Sequence, residues 1–251
     1  MSDAYTVLPA VYDALGEHPD YDGIAEAVLK LYQSEGAKES GLILDLCCGT
    51  GRLTRALADR GAEVIAVDSS VEMLNEARKN CARAKIAPLL LCQDMRSFEL
   101  YGTVDVCVCA GNSLNYLTGA KDLEKVFGLV HNYLTPGGLF LFDMDTLYKF
   151  EKLYADNSYV FENDGCFCVW QNAYEARPKR CRFYIDVFFK EKDGRYLRRT
   201  EEQVQKYYSV RQIGTLLKKT GFELLGCARD YRGTQMEKED ADVCFTAKCI
   251  K

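Results

Sequence analysis

The sequence predicts an α/β protein with a mostly parallel sheet of seven strands, helices on both faces and a small antiparallel β insert. Three observations lead there. Short apolar runs alternate with helix-period segments between about residues 42 and 144, a rhythm that calls for right-handed βαβ crossovers. From about 158 to 208 the period becomes two, with Gly165, Pro178 and Asp193-Gly194 as turn signals. The α/β rhythm then resumes to the end of the chain.

Taken in order, residues 5–15 and 20–33 read as two helices, the second apolar at Ile24, Val28, Leu29 and Tyr32. Strand 42–46 leads to a helix over 52–60, and strand 63–67 to a helix over 71–84. A short strand follows at 89–92, then a longer one at 104–109 and a helix at about 120–133. Pro136-Gly-Gly138 predicts a turn into a buried strand at 139–144. In the insert, Phe183, Ile185, Val187 and Phe189 face one way and Arg182, Tyr184, Asp186 and Phe188 the other, so one face is covered. A helix over about 209–220 follows, with Ser209 at its N-cap and Gly221 at C′. Strands near 222–230 and 242–250 close the chain. The expected organisation is a core with N-terminal lid helices over 1–155, the insert over 156–208, and the last helix and strands of the core over 209–251.

The totals exclude several classes. With 48% hydrophobic and 27% charged residues the 251-residue chain is ordinary globular material. A net charge of -5 argues against a nucleic-acid surface, and the basic residues around 177–182 and 195–199 read as solvated hairpin ends. No apolar run reaches the ~18 residues of a membrane span, and the N-terminus has no signal-peptide pattern, so a cytoplasmic location is expected. Twelve cysteines with no Cys-x-x-Cys spacing read as small buried hydrophobes, with no metal site expected.

The chemistry concentrates at the ends of the first strands. Leu42-Ile-Leu-Asp-Leu-Cys-Cys-Gly-Thr-Gly51 is a strand that ends in an acid and opens through glycines onto a helix. Gly49 and Gly51 let a ligand approach the backbone. Asp68 ends the second strand, placed to accept hydrogen bonds from both hydroxyls of a ribose. A nicotinamide dinucleotide and an adenosyl cofactor share that need. The dinucleotide fingerprint lacks its third glycine, since Thr54 stands there. Asp45 at the mouth of the turn would repel a pyrophosphate and attract an ammonium or sulfonium.

Asp45-Leu-Cys-Cys-Gly-Thr-Gly51, Ala66-Val-Asp-Ser-Ser-Val-Glu-Met-Leu74, Cys92-Gln-Asp-Met95 and Leu134-Thr-Pro-Gly-Gly-Leu139 resemble the successive motifs of class I S-adenosylmethionine-dependent methyltransferases. Among these the chain is similar to small bacterial enzymes with an antiparallel insert, relatives of amino-sugar N,N-dimethyltransferases and glycine N-methyltransferase-like enzymes. The resemblance implies a Rossmann-like sheet whose last strand is antiparallel, and S-adenosyl-L-methionine as cofactor. It implies that Asp45 and the backbone at Cys47 and Gly49 hold the methionine moiety, that Gly51 belongs to the same cofactor-binding turn, and that Asp68 binds the ribose with Ser69 and Met73 beside the adenosine. Asp94 and Met95 would meet the adenine, and Ala110, Gly111 and Asn112 would form the floor beneath the sulfonium. Tyr12 and Tyr21 match the lid. Cys47 departs from the family, which commonly has glycine there.

The acceptor side is less defined. Asn115, Tyr116 and Trp170 are candidate acceptor contacts. The sequence names no general base: His131 lies before the fifth strand, away from the strand ends, and His18 sits in a loop. Relatives often show Glu-x-His-x-x-Arg-x-Tyr-Ser before the last helix, where this chain has Gln203 and Lys206 at the histidine and arginine positions. An in-line transfer to nitrogen or oxygen of a small-molecule acceptor is expected, without nucleic acid or membrane, in a monomer or homodimer. The alternatives are a methyltransferase for nucleic acid or protein, a non-catalytic cofactor-binding protein, and a nicotinamide oxidoreductase, which Thr54 and Asp45 disfavour.

Overall fold

The computed structural model describes residues 7–13, 19–35, 41–163 and 165–251. Of the N-terminal helix expected over 5–15, the described part is α1 (Pro9–Tyr12), followed by α2 (Tyr21–Ser34), which Asp20 caps by accepting from the Gly23 N–H. His18 lies outside the described residues.

The alternating motif becomes β1 (Leu42–Leu46), α3 (Arg52–Asp59), β2 (Glu63–Asp68), α4 (Val71–Cys81), β3 (Leu89–Cys92), β4 (Val104–Cys109), α5 (Ala120–Tyr133) and β5 (Leu134–Asp145). A 3-10 turn over Ser113–Tyr116 follows β4, and a π-helical segment over Lys149–Tyr154 follows β5. The insert is β6 (Ser158–Asn163), β7 (Cys166–Glu175), β8 (Arg180–Lys190) and β9 (Tyr196–Lys206). It precedes α6 (Val210–Lys219), β10 (Phe222–Ala228) and β11 (Asp242–Cys249). Ser209 and Gln212 form a reciprocal capping box at α6 and Gly221 has φ +92°, as expected for a C′ residue.

The main sheet has the order β10-β11-β5-β4-β1-β2-β3, with β11 antiparallel to both neighbours and the central pairs parallel. One expectation is corrected. Pro136–Gly138 is not a turn outside the strand but an irregularity within β5. The pairing there jumps from Val104↔Leu134 to Val106↔Leu139, and Gly137 takes up the excess chain at φ +79°.

Because strand side chains alternate, β1 sends Leu44 and Leu46 into the core shared with Phe127, Phe142, Ile213 and Leu217, and Ile43 into the core shared with Val28, Leu53 and Leu57. Asp45 therefore points to the side of α2 and α3. The four-stranded antiparallel sheet, ordered β6-β7-β8-β9, covers one face with Cys168, Cys181, Phe183, Ile185 and Val187 packed against Leu8 and Phe150. Eight of the twelve cysteines are buried. Among the described residues no helix is long and apolar enough to cross a membrane.

Candidate functional site

The ends of β1 to β4 and the N-terminal segment enclose a cavity of about 220 Å³. The turn after β1 makes its floor. Cys47, Gly49 and Gly51 alternate at positive φ (62°, 55° and 73°) and the Gly51 N–H closes the turn on the Cys48 carbonyl at 2.9 Å. The two glycines serve different ends. A Cβ on Gly49 would meet only the Met73 sulfur at 4.0 Å, so this backbone is open to the cavity. A Cβ on Gly51 would lie 2.9 Å from the Ala77 Cβ. Gly51 therefore does not line the cavity; it lets α4 approach α3. Cys47 occupies the left-handed region without glycine's freedom, which accounts for the family's usual residue there. Its Sγ meets the Met95 sulfur at 3.8 Å.

Asp45 lines the cavity, is almost fully buried, and accepts a 2.5 Å hydrogen bond from the Thr54 hydroxyl. Burial pushes its pKa up to about 7, Asp68 adds to the rise, and the Thr54 hydrogen bond opposes it. Among the described residues no lysine or arginine forms an ion pair with it. Thr54 was counted in the sequence only as a missing glycine. Its role has no local signal, because it faces Asp45 through the turn of the chain from β1 into α3.

Asp68 accepts from the Gly49 N–H through Oδ2 and from the Ser70 N–H through Oδ1, both at 2.9 Å. Burial raises its pKa against the pull of those backbone groups. The side chain that caps α4 is Ser70, which accepts from the Met73 N–H at 3.1 Å. Each Asp68 oxygen keeps acceptor capacity. Asp94 also lines the cavity, but both its oxygens are engaged by Arg96, whose guanidinium holds the carboxyl below its ordinary pKa. Ser69, Met73, Met95, Ala110 and Gly111 line the cavity, as do Tyr12, Tyr21 and Tyr116. Arg52 stacks over the Tyr21 ring at 5.3 Å.

Three further expectations are corrected. Asn112 does not line the cavity: its N–H goes to Asp143 at 2.6 Å and its side-chain amide to Asp242 at 2.8 Å. Asn115 is wholly buried, accepting from the Asp145 N–H at 3.0 Å and donating to the Lys206 carbonyl at 2.8 Å, so it ties the 3-10 turn to β5 and β9. Trp170 packs edge-on against Phe183 in the insert core, 5.7 Å between centroids, outside the cavity. His131 packs on Phe222 and bonds the Ile250 carbonyl, as its place before β5 suggested.

Asp143 was missed. It accepts from the Gly111 and Asn112 N–H groups and so holds the loop after β4. Burial lifts its pKa to about 6. Asp145 nearby, also lifted to about 6 by burial, pairs with Lys149 at 2.8 Å, and Lys149 pairs again with Asp242. Two carboxylates inside the apolar run Leu139–Asp145 were a visible signal of this network.

The lining fits a cationic adenosyl ligand: a buried carboxylate without a protein cation, a ribose-type acceptor at the next strand end, and open backbone at Gly49. Comparison with known proteins agrees. A model of the methyltransferase domain family matches residues 43–138. The protein YqeM of Bacillus subtilis (strain 168), named as a methyltransferase, is 30% identical over 249 residues, 98% of each chain. A glycine/sarcosine N-methyltransferase of Aphanothece halophytica is 28% identical over 196 residues, 71% of this chain and 70% of that one. The crystal structure of an S-adenosylmethionine-dependent methyltransferase from Clostridium acetobutylicum ATCC 824 superposes with a TM-score of 0.85 at 28% identity, covering 98% of this chain and 97% of that one.

Proposed function

The chain belongs to the S-adenosylmethionine-dependent methyltransferases, and we propose that it methylates a nitrogen of a small-molecule acceptor. The observation that carries the reading is the cavity at the strand ends, where the carboxylates of Asp45 and Asp68 converge beside Tyr12, Tyr21 and Tyr116. In this reading Asp45 holds the ammonium of the cofactor, Asp68 the ribose hydroxyls, and Met73, Met95 and Asp94 the adenosine end. The cofactor, when bound, supplies an already activated methyl group, so the protein needs no metal or nucleophile of its own. What remains for the chain is to hold the acceptor's lone pair in line, to exclude water and to keep the lone pair free of a proton. The tyrosines of the wall can position such a group. The relative named for glycine and sarcosine methylation supports nitrogen as the acceptor atom, and the net charge of -5 supports a small molecule over a nucleic acid.

The experiment is incubation with methyl-labelled adenosylmethionine and pools of small amines and of their hydroxyl counterparts. Label entering the amines is the expected result. Label entering only hydroxyl compounds, or staying on the donor across all pools, would overturn the reading.

A further inference from the structure

A hydrogen-bonded relay runs from the N-terminal segment to the wall of the cavity. The Val7 and Leu8 N–H groups donate to Oε2 of Glu201 at 3.0 and 3.2 Å. Oε1 of Glu201 accepts from the Gln203 amide Nε2 at 2.5 Å. Oε1 of Gln203 accepts from the Tyr116 hydroxyl at 2.7 Å. Glu201 and Gln203 are both buried and point to the covered face of the insert sheet, while Tyr116 lines the cavity.

The direction of this relay is dictated at its far end. Backbone N–H groups can only donate and cannot turn round. Glu201 accepts from them and, as a carboxylate, accepts again on its other oxygen. The Gln203 amide must therefore turn its NH₂ toward Glu201 and its carbonyl toward Tyr116. Tyr116 has a single proton and spends it on that carbonyl. Any other group that bonds the Tyr116 oxygen must donate to it.

We propose that Gln203, locked by Glu201, is a positioning residue that makes Tyr116 a hydrogen-bond acceptor toward the methyl acceptor. The cavity then selects acceptors that still carry a donor hydrogen, an amine with N–H before a fully substituted nitrogen. This rests on the methyltransferase reading above, for which the relay supplies the wall facing the acceptor. It also ties that polarity to the seating of the N-terminal segment, since Val7 and Leu8 are four or five positions from Tyr12 in the cavity wall.

The test inverts the relay without changing its shape. In Glu201→Gln, the carbonyl must still face Val7 and Leu8, so the new NH₂ faces Gln203 and the Gln203 amide turns over. Tyr116 then receives an N–H, which stabilises its phenolate. In the double variant E201Q/Q203E, Tyr116 again donates, now to a carboxylate. The readout is the ¹³Cζ shift of labelled tyrosine against pH, with the Tyr116 signal identified by its loss in Tyr116→Phe. Tyr154, which interacts with Tyr116, and Asp145, Asp242 and Lys149 around it are the same in all variants. We expect the acid dissociation constant of Tyr116 to rise about tenfold or more in E201Q and to return to the wild-type value or below in E201Q/Q203E. An unchanged constant in E201Q, with adenosylhomocysteine affinity retained as proof of folding, would overturn the proposal. A constant that rises in both variants would overturn it too, and so would a rise in Glu201→Leu equal to that in E201Q, because the leucine removes the same charge without an amide group to turn Gln203 over. This readout needs no acceptor, so its failure is separate from a failure of methyl transfer.

Discussion

The Thr54 hydroxyl donates a 2.5 Å hydrogen bond to Oδ2 of Asp45, and both side chains are almost wholly buried. It is the principal side-chain bond favouring the charged form of a carboxylate that burial pushes up to about 7. Thr54→Val keeps the shape and removes the donor. Cofactor affinity at pH 7.5 should fall by about 1–3 kcal/mol, the worth of a hydrogen bond to a charged group. Calorimetric titration with adenosylhomocysteine measures it, and an unchanged affinity would separate Thr54 from the site.

Asp45 also sets a pH dependence. An ammonium binds the ionised carboxylate, and below pH 7 the free protein holds Asp45 protonated, so binding must first release that proton. Adenosylhomocysteine affinity should therefore rise by up to about tenfold per pH unit from 5.5 to 7 and level off above. In Asp45→Asn this dependence should vanish along with most of the affinity. A wild-type profile that is flat across this range would remove Asp45 as the ammonium partner.

The ligand-free protein should be more stable at pH 5 than at pH 8. Asp45, Asp143 and Asp145 have folded pKa values raised to about 7, 6 and 6, chiefly by burial. A raised folded value contributes stability that is complete below the unfolded pKa and is lost as pH rises through the folded one. The loss belongs mainly between about pH 4 and 7 on those values. Urea midpoints at fixed temperature measure it, and a higher midpoint at pH 8 would contradict the burial of these groups.

Cys47 stands at φ +62° where glycine would carry no left-handed cost. Cys47→Gly should raise the unfolding free energy by about 1 kcal/mol, the scale of that cost for an L-residue. The lost contact with Met95 acts in the opposite direction. Denaturant unfolding reads the sum, and a clear destabilisation would mean that the sulfur contact outweighs the backbone.

Neighbouring positions should behave differently. Asn115→Leu leaves the Asp145 N–H and the Lys206 carbonyl without their partner and should cost about 2–4 kcal/mol of stability, at about 1–2 kcal/mol for each group left bare. Tyr116→Phe leaves one buried group bare, the Gln203 carbonyl, and should cost about half as much, about 1–2 kcal/mol. Similar losses at both positions would contradict the division between a buried tie and a wall residue.

Much of this molecule was legible in the chain. The strand and helix order followed from apolar periodicity, which acts over a few residues and reports on local packing alone. The carboxylates Asp45, Asp68 and Asp94 were visible because each lies at or just past the end of a strand, and strand ends in a parallel sheet come together on one edge. The turn at 47–51 was visible because glycine marks backbone that other residues resist. Even so, the chain alone did not separate Gly49, which opens the cavity, from Gly51, which admits α4.

By itself, then, the sequence determined which acidic residues the fold would gather and what kind of ligand they could hold, since both depend on order along the chain and residue chemistry. Only the tertiary structure decided what those groups bond to. Thr54 serves Asp45, Arg96 holds Asp94, Asn115 turns inward, and Gln203 lies 87 positions from the Tyr116 hydroxyl whose proton it accepts. Hydrogen bonds are made over about 3 Å, and positions that far apart in the chain come within that distance only once the insert sheet has packed against the core.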